Sequence, residues 1–297
     1  MRIVIEPCFA EGHFLEAHIR NTCEFLEPDH FIICEGLFPT GPEDSLSSER
    51  MEEFKKLYTT DGKRSFDIEQ MREIIAICQK DYPGIDLRMF EMDYNPRQNT
   101  EQTYYEVYTF PRTILPLEPD DILIPHETDM FFTEEEANRL LEYAETMSPG
   151  TGAGIGAKTF FESPLVCGHQ RGRRGIFKYG DGKFYDKFFR SYYWLEGRPD
   201  LQKTLIEYLP VGWHYEWIRP EPYFQMRLVQ TFKHGVSHFI TQARDAIQRE
   251  DFEALAKIPH LNIWHKTDLK IEDHPPHIRN HPHFRKYYGE SVPSQPT

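Results

Sequence analysis

Two carboxylates spaced two residues apart, Glu127 and Asp129, stand at the end of the apolar run in DDILIPHETDMFF. Side chains at i and i+2 of an extended chain share a face, so both acids can reach one cation or the water around it. Mg2+ and Mn2+ favour carboxylate oxygens and complete their shells with ligand phosphates. A cation held there would neutralise a departing nucleoside diphosphate as a sugar–phosphate bond breaks. The same acids could instead cap the helix expected just beyond Thr133, and the E-x-D spacing alone leaves both readings open. Glu35 closes another buried run, Phe31-Ile32-Ile33-Cys34, and precedes a Gly/Pro/Ser-rich loop, the setting of a carboxylate that binds ribose or base. Arg97 and Asn99 lie in the turn after Tyr94-Asn95-Pro96, where a guanidinium can face phosphate. His214 sits between two tryptophans in VGWHYEW, and neutral imidazole serves as a metal ligand or phosphate partner.

The elements that must position these groups can be read from periodicity. Arg2–Ile5 and Phe31–Cys34 are short β-branched or apolar runs of buried-strand type, separated by a helical stretch from about His13 to Leu26. Apolar residues at Phe66, Ile68, Met71, Ile74, Ile75 and Cys78 have helical spacing, with Ser65 as the expected N-cap. Strands are expected over 85–92 and 120–125, and helices over 101–114, ended or interrupted at Pro111, and over 134–147 with Thr133 and Glu136 as its cap. Strand-then-helix order predicts an α/β fold, a mostly parallel sheet with helices on both faces. Beyond Pro149, GTGAGIGAKTFF reads as Gly-rich and strand-like, HQRGRRGIFKYGDGKF as a basic loop, and the stretch from Ile271 as an extended His/Pro-rich extension. The coarse division is a nucleotide-sugar half (1–150), an acceptor half of the same catalytic domain (151–270) and a tail (271–297).

Composition sets the outer bounds. The 297 residues are 39% hydrophobic and 28% charged, which is globular rather than disordered. No apolar run approaches the roughly 18 residues of a membrane span. The opening MRIVIEPCFAEGH is broken by Glu6 and Pro7, so a cytoplasmic protein is expected. Five scattered cysteines without a C-x-x-C pair predict reduced thiols and argue against structural zinc. A net charge of −14 weighs against a nucleic-acid partner, although Arg171, Arg173, Arg174 and Lys178 and the basic residues Arg279, Arg285 and Lys286 keep a sugar transferase acting on a base open.

In their order along residues 1–240, these pieces resemble the β-1,4-mannosyl-glycoprotein N-acetylglucosaminyltransferase family and its bacterial and viral relatives. The matching segments are a first helix with Glu11, Leu15, Glu16 and Ile19, then DHFIICEGLFPTG, the RQN turn, DDILIPHETDMFF, VGWHYEW and QMRLVQTFKHG. The resemblance implies a GT-A fold of Rossmann type and an inverting transfer from a nucleotide-diphosphate sugar to an acceptor hydroxyl on a carbohydrate or glycoconjugate, with Mn2+ or Mg2+. It implies Asp129 as metal ligand, Glu127 as support for metal or sugar, Glu35 at the nucleoside and His214 at the metal or diphosphate. The family's acidic turn reads D-x-D-E, whereas here the fourth position is Met130, which puts the donor sugar in doubt. Arg174 and its basic neighbours have no counterpart there and read as a loop able to close over the diphosphate, face the acceptor or simply lie in solvent.

The general base stays open among Glu216, Glu162, Asp186 and Glu196, with Glu127 as a further catalytic candidate. Other readings are a metal-dependent hydrolase or phosphotransferase and an inactive sugar-nucleotide-binding module. His260, His265, His274, His277, His281 and His283 invite the hydrolase, but they lack H-x-x-x-H spacing, and Pro275, Pro276 and Pro282 interrupt the segment, so an exposed tail is the expectation.

Overall fold

The computed structural model describes residues 1–36, 48–93, 100–161, 163–190, 209–215, 218–232, 237–249, 251–258 and 265–288. Its first half alternates strand and helix as expected: β1 (Arg2–Cys8), α1 (Gly12–Phe25), β2 (His30–Glu35), α2 (Ser48–Tyr58), α3 (Ile68–Asp81), β3 (Asp86–Glu91), α4 (Thr100–Thr109), α5 (Pro111–Ile114), β4 (Ile122–Pro125), β5 (Met130–Phe131) and α6 (Glu134–Thr146). The second half holds β6 (Thr151–Phe161), β7 (Ser163–Lys178), α7 (Lys183–Arg190), β8 (Leu209–His214), α8 (Glu221–Phe232), α9 (Ser237–Gln248), α10 (Phe252–Ala256), β9 (His265–Lys266), α11 (Pro276–Arg279) and α12 (Pro282–Arg285).

The strands form one sheet in the order β3-β2-β1-β4-β7-β6-β8-β5, with β9 beside β7. The 3-2-1-4 portion is parallel throughout and the remainder is mixed. Alternation along the strands explains why both faces are covered. Val4, Phe31, Ile33 and Ile124 pack on one side with α1, α3 and α6, while Ile3, Ile5, Ile32 and Leu123 pack on the other with α4 and α7. Such two-faced burial is the Rossmann-type arrangement, in which ligands bind outside the carboxyl ends of the strands where the order reverses. That point lies between β1 and β4.

Three expectations are corrected. The helix expected to be capped at Ser65 starts later, with Asp67 at its N-cap position; the Ser65 hydroxyl turns instead to Met71 Sδ at 3.4 Å, and its amide donates to the Glu35 carboxylate at 2.8 Å. The basic stretch is no loop: residues 163–178 form β7, paired along its length with β6. Glycine misled the reading. A Cβ on Gly152 would stand 2.3 Å from the Phe177 ring, and one on Gly175 would stand 2.6 Å from the Ala153 carbonyl oxygen, so these glycines admit an aromatic ring into a sheet. The His/Pro-rich segment, over its described part to residue 288, is folded down rather than extended. Ile278 and Phe284 are buried, and buried His274 faces the hydroxyls of Tyr215 at 2.9 Å and Tyr288 at 2.8 Å. Burial pushes the His274 imidazole down to about 3.

Candidate metal centre

Backbone geometry brings the acidic turn to its partners. The His126 amide still donates to the Ile5 carbonyl alongside β1, and the turn then closes with the Met130 amide donating to Glu127 O at 3.0 Å. β5 lies antiparallel to β8, so Met130 is level with His214, and the Tyr215 amide donates to Asp129 O at 2.8 Å. This register sets the His214 ring beside both acids. Its Nε2 lies 3.1 Å from Asp129 Oδ1 and 3.5 Å from Glu127 Oε2, while Nδ1 faces Thr159 Oγ1 at 3.4 Å.

These spacings suit a shared cation. Ligands about 2.1 Å from a common centre and at right angles stand roughly 3.0 Å apart. His214 and Asp129 are buried and Glu127 is partly open, which leaves one side of the cluster accessible. The fully buried Arg219 forms the outer support: Nη2 donates to Asp129 Oδ2 at 2.6 Å and Nη1 to Glu11 Oε2 at 2.7 Å. With the acids ionised and imidazole neutral, Glu11, Glu127, Asp129 and Arg219 leave two net negative charges, the complement of one divalent ion. Carboxylate oxygens are the donors that Mn2+ and Mg2+ favour, and the imidazole tilts the set towards a transition ion such as Mn2+.

The capping alternative is answered by α6 itself. Its first turn is closed by Thr133 and Glu136: the Glu136 amide donates to Thr133 Oγ1 at 3.3 Å and the Thr133 amide to Glu136 Oε2 at 3.1 Å. Glu136 also accepts from Trp213 Nε1 at 2.8 Å. Glu127 and Asp129 face His214 instead.

Met130, where the fourth acid of the related pattern would stand, is wholly buried in the core around α1 and α6. Its methyl lies 2.4 Å from where a Cβ on Gly212 would be, and Gly212 has φ of +118°. An acid at 130 would enter apolar packing, so the missing carboxylate takes nothing from this cluster.

The remaining sequence candidates scatter. Glu35 is fully buried, accepts from the Ser65 amide and lies 3.9 Å from Arg64 Nε. Burial raises its carboxyl to about 7, against the pull of the Ser65 hydrogen bond and the Arg64 charge. It is no member of the cluster with His214. Asp186 is tied to Arg112 at 2.5 Å on α7. Arg174, in β7, pairs through its backbone with Ile155 of β6, and Lys178 reaches Asp120 at 3.3 Å. Arg97, Asn99, Glu162, Glu196 and Glu216 lie outside the described residues.

Sequence reading missed Arg219, Glu6, His18 and His126. Glu6 is an acid within the apolar run of β1, and His18 occupies the apolar face of α1 beside Phe14, Leu15 and Ile19. A polar residue in a core-facing register was the available signal. Arg219 offered none, since its partners are 90 and 208 residues away.

No family model matches the chain, and no curated protein does. Among solved structures it is similar to the mannosyltransferase PcManGT from Pyrobaculum calidifontis in complex with GDP-Man and Mn2+, at 14% identity and TM-score 0.42, covering 88% of this chain and 70% of that one. It is also similar to 2-C-methyl-D-erythritol 4-phosphate cytidylyltransferase from Francisella tularensis, at 11% identity and TM-score 0.38, covering 77% and 99% of the two chains. A third is the inositol-1-phosphate CTP transferase from T. maritima, at 9% identity and TM-score 0.40, covering 77% and 96%. At such identities and TM-scores the site must be read from its own geometry. No helix among the described residues is long and apolar enough to cross a membrane, and none of the five cysteines forms a disulfide.

Proposed function

We propose that the chain is a metal-dependent glycosyltransferase that moves a sugar from a nucleoside diphosphate donor to an acceptor hydroxyl, on a glycan in the first instance. The observation that carries this reading is the convergence of Glu127, Asp129 and His214 at the carboxyl end of β4, at the reversal point of a parallel 3-2-1-4 sheet. Asp129 and His214 would hold the cation, with Glu127 as the third ligand and Arg219 fixing the Asp129 carboxylate. When bound, Mn2+ or Mg2+ supplies the positive charge that offsets a leaving diphosphate. Glu35, buried at the end of β2 two strands from β4, is assigned to the nucleoside end of the donor. Arg97, Asn99 and Arg174 are assigned to its phosphates. The acceptor proton is assigned to a carboxylate, Glu216 or Glu162.

The test is a thermal-shift screen of nucleoside diphosphate sugars with and without Mn2+. A donor that raises Tm only with metal present, and fails to do so in Asp129→Asn, supports the reading. Absence of any shift by any donor overturns it. Release of free sugar without acceptor would favour a hydrolase instead. With that donor and an acceptor in a transfer assay, whichever of Glu216→Gln and Glu162→Gln loses turnover while keeping the metal-dependent shift identifies the base.

A further inference from the structure

Below the acidic turn lies another set of carboxylate and imidazole groups that the proposed chemistry does not use. Glu6 on β1, His18 on α1 and His126 at the end of β4 are all fully buried, between the sheet and α1. Glu6 Oε2 lies 2.6 Å from His18 Nε2, and the Thr128 hydroxyl donates to Glu6 Oε1 at 3.4 Å. His18 Nδ1 lies 3.0 Å from the Met130 carbonyl oxygen. The His126 ring packs on His18 at 4.8 Å, with Nδ1 3.9 Å from Glu6 Oε2 and 3.1 Å from Glu127 O. Successive residues of the turn thus go to different partners: Glu127 and Asp129 reach His214, while His126 and Thr128 reach Glu6.

A charged or polar group costs free energy in this layer unless it is hydrogen-bonded; beside these groups the layer holds apolar side chains and buried Asn21, whose amide exchanges hydrogen bonds with the backbone of Phe132 beyond the turn. What these groups do is grip the turn at Thr128 and at Met130, on both sides of Asp129. A cation of their own is the competing use. The 2.6 Å Glu6–His18 contact is a hydrogen-bond length, shorter than the roughly 3.0 Å that ligands of one ion keep at right angles. We propose that Glu6 and His18 are positioning residues, a buried clamp that holds the backbone of 126–130 so that Glu127 and Asp129 converge on His214. This inference rests on the reading of that convergence as a cation site.

The experiment combines two measurements on the full chain. Mn2+ affinity is read by electron paramagnetic resonance of the unbound ion, and amide hydrogen exchange is read in the peptide spanning 126–131 of metal-free protein. Glu6→Gln and His18→Gln should each weaken Mn2+ binding about 10- to 100-fold, the range for groups that orient ligands. They should also speed exchange in that peptide about tenfold. Thr128→Val, which removes the hydroxyl shared between Glu6 and the Cys8 thiol, should do both to a smaller extent and stands in if either larger change prevents folding. Thr133→Ala, a destabilised control, should leave affinity within about twofold. Unchanged affinity and exchange in Glu6→Gln and His18→Gln overturn the clamp. If wild type binds no Mn2+, the cation-site reading fails, and the exchange measurement then decides the clamp alone: unaltered exchange overturns it and faster exchange upholds it. A metal that persists in purified Asp129→Asn and is lost on adding His18→Gln would make the cluster a site itself, and would also overturn the proposal.

Discussion

The two clusters that flank the turn 126–130 are built from the same chemistry, yet the proposed reading gives them different work. In the one with His214, imidazole and carboxylate atoms stand 3.1 and 3.5 Å apart beside a partly open Glu127. In the one with His18, they close to 2.6 Å and every member is sealed. On that reading residue type does not separate a cation site from a structural hydrogen-bond knot; spacing and access do. The wider cluster also has a counter-charge, Arg219, set against three carboxylates, Glu11, Glu127 and Asp129.

The contrast can be broken or sharpened by substitution. The largest effect is expected from Arg219→Met, which leaves the buried Asp129 and half-buried Glu11 carboxylates without their cation; urea denaturation should show a loss of about 3–5 kcal/mol. A loss under 1 kcal/mol would mean that the acids are already relieved by water or a bound ion. His214→Ala should lower Mn2+ affinity about 100-fold or more, roughly 2.7 kcal/mol, in a calorimetric titration. If affinity holds, the imidazole is no ligand and the two clusters are more alike than their spacings indicate.

Glu35 offers a third buried carboxylate, one without a histidine partner. Its carboxyl lies at about 7 in the folded chain against 4.5 ordinarily, because burial disfavours its charge. The folded state thus keeps a proton that the unfolded chain gives up, and the associated stability is complete below about pH 4.5 and lost as pH rises through about 7. Glu35→Gln should remove that slope, gaining roughly 1–3 kcal/mol over wild type between pH 5 and pH 8 in denaturant midpoints. Parallel profiles would show that Arg64 and Ser65 already hold the carboxylate ionised. Smallest is Thr133→Ala, about 1 kcal/mol from loss of the α6 cap with metal binding retained. A fall in metal affinity there would tie the turn to the helix after all.

Much of the first half of the fold was legible because burial on two faces writes itself into runs such as Phe31–Cys34 and into the helical spacing of Met71, Ile74, Ile75 and Cys78. β7 was illegible for the opposite reason: its glycines and arginines have loop composition, and its strand character comes from pairing with β6. Glu127, Asp129 and His214 could be picked out individually, as acids after an apolar strand and an imidazole between tryptophans. That they meet depends on β5 and β8 lying in register, a long-range pairing with no local signature. Arg219 and the Glu6–His18 contact are hidden by the same distance along the chain. The folded His/Pro segment was misjudged because its prolines forbid long helices but permit the single turns at 276–279 and 282–285 that bury Ile278 and Phe284.

That segment has a consequence for how the protein is made. Tyr215, the residue after His214, is held by His274, which Tyr288 holds in turn. The acidic turn leaves the ribosome long before the strand that carries its imidazole, and that strand emerges well before its cover. On the proposed reading, a nascent chain carries a pair of acids with no third ligand, and competence to capture a cation waits for the turns at 276–279 and 282–285, made well after the acids themselves.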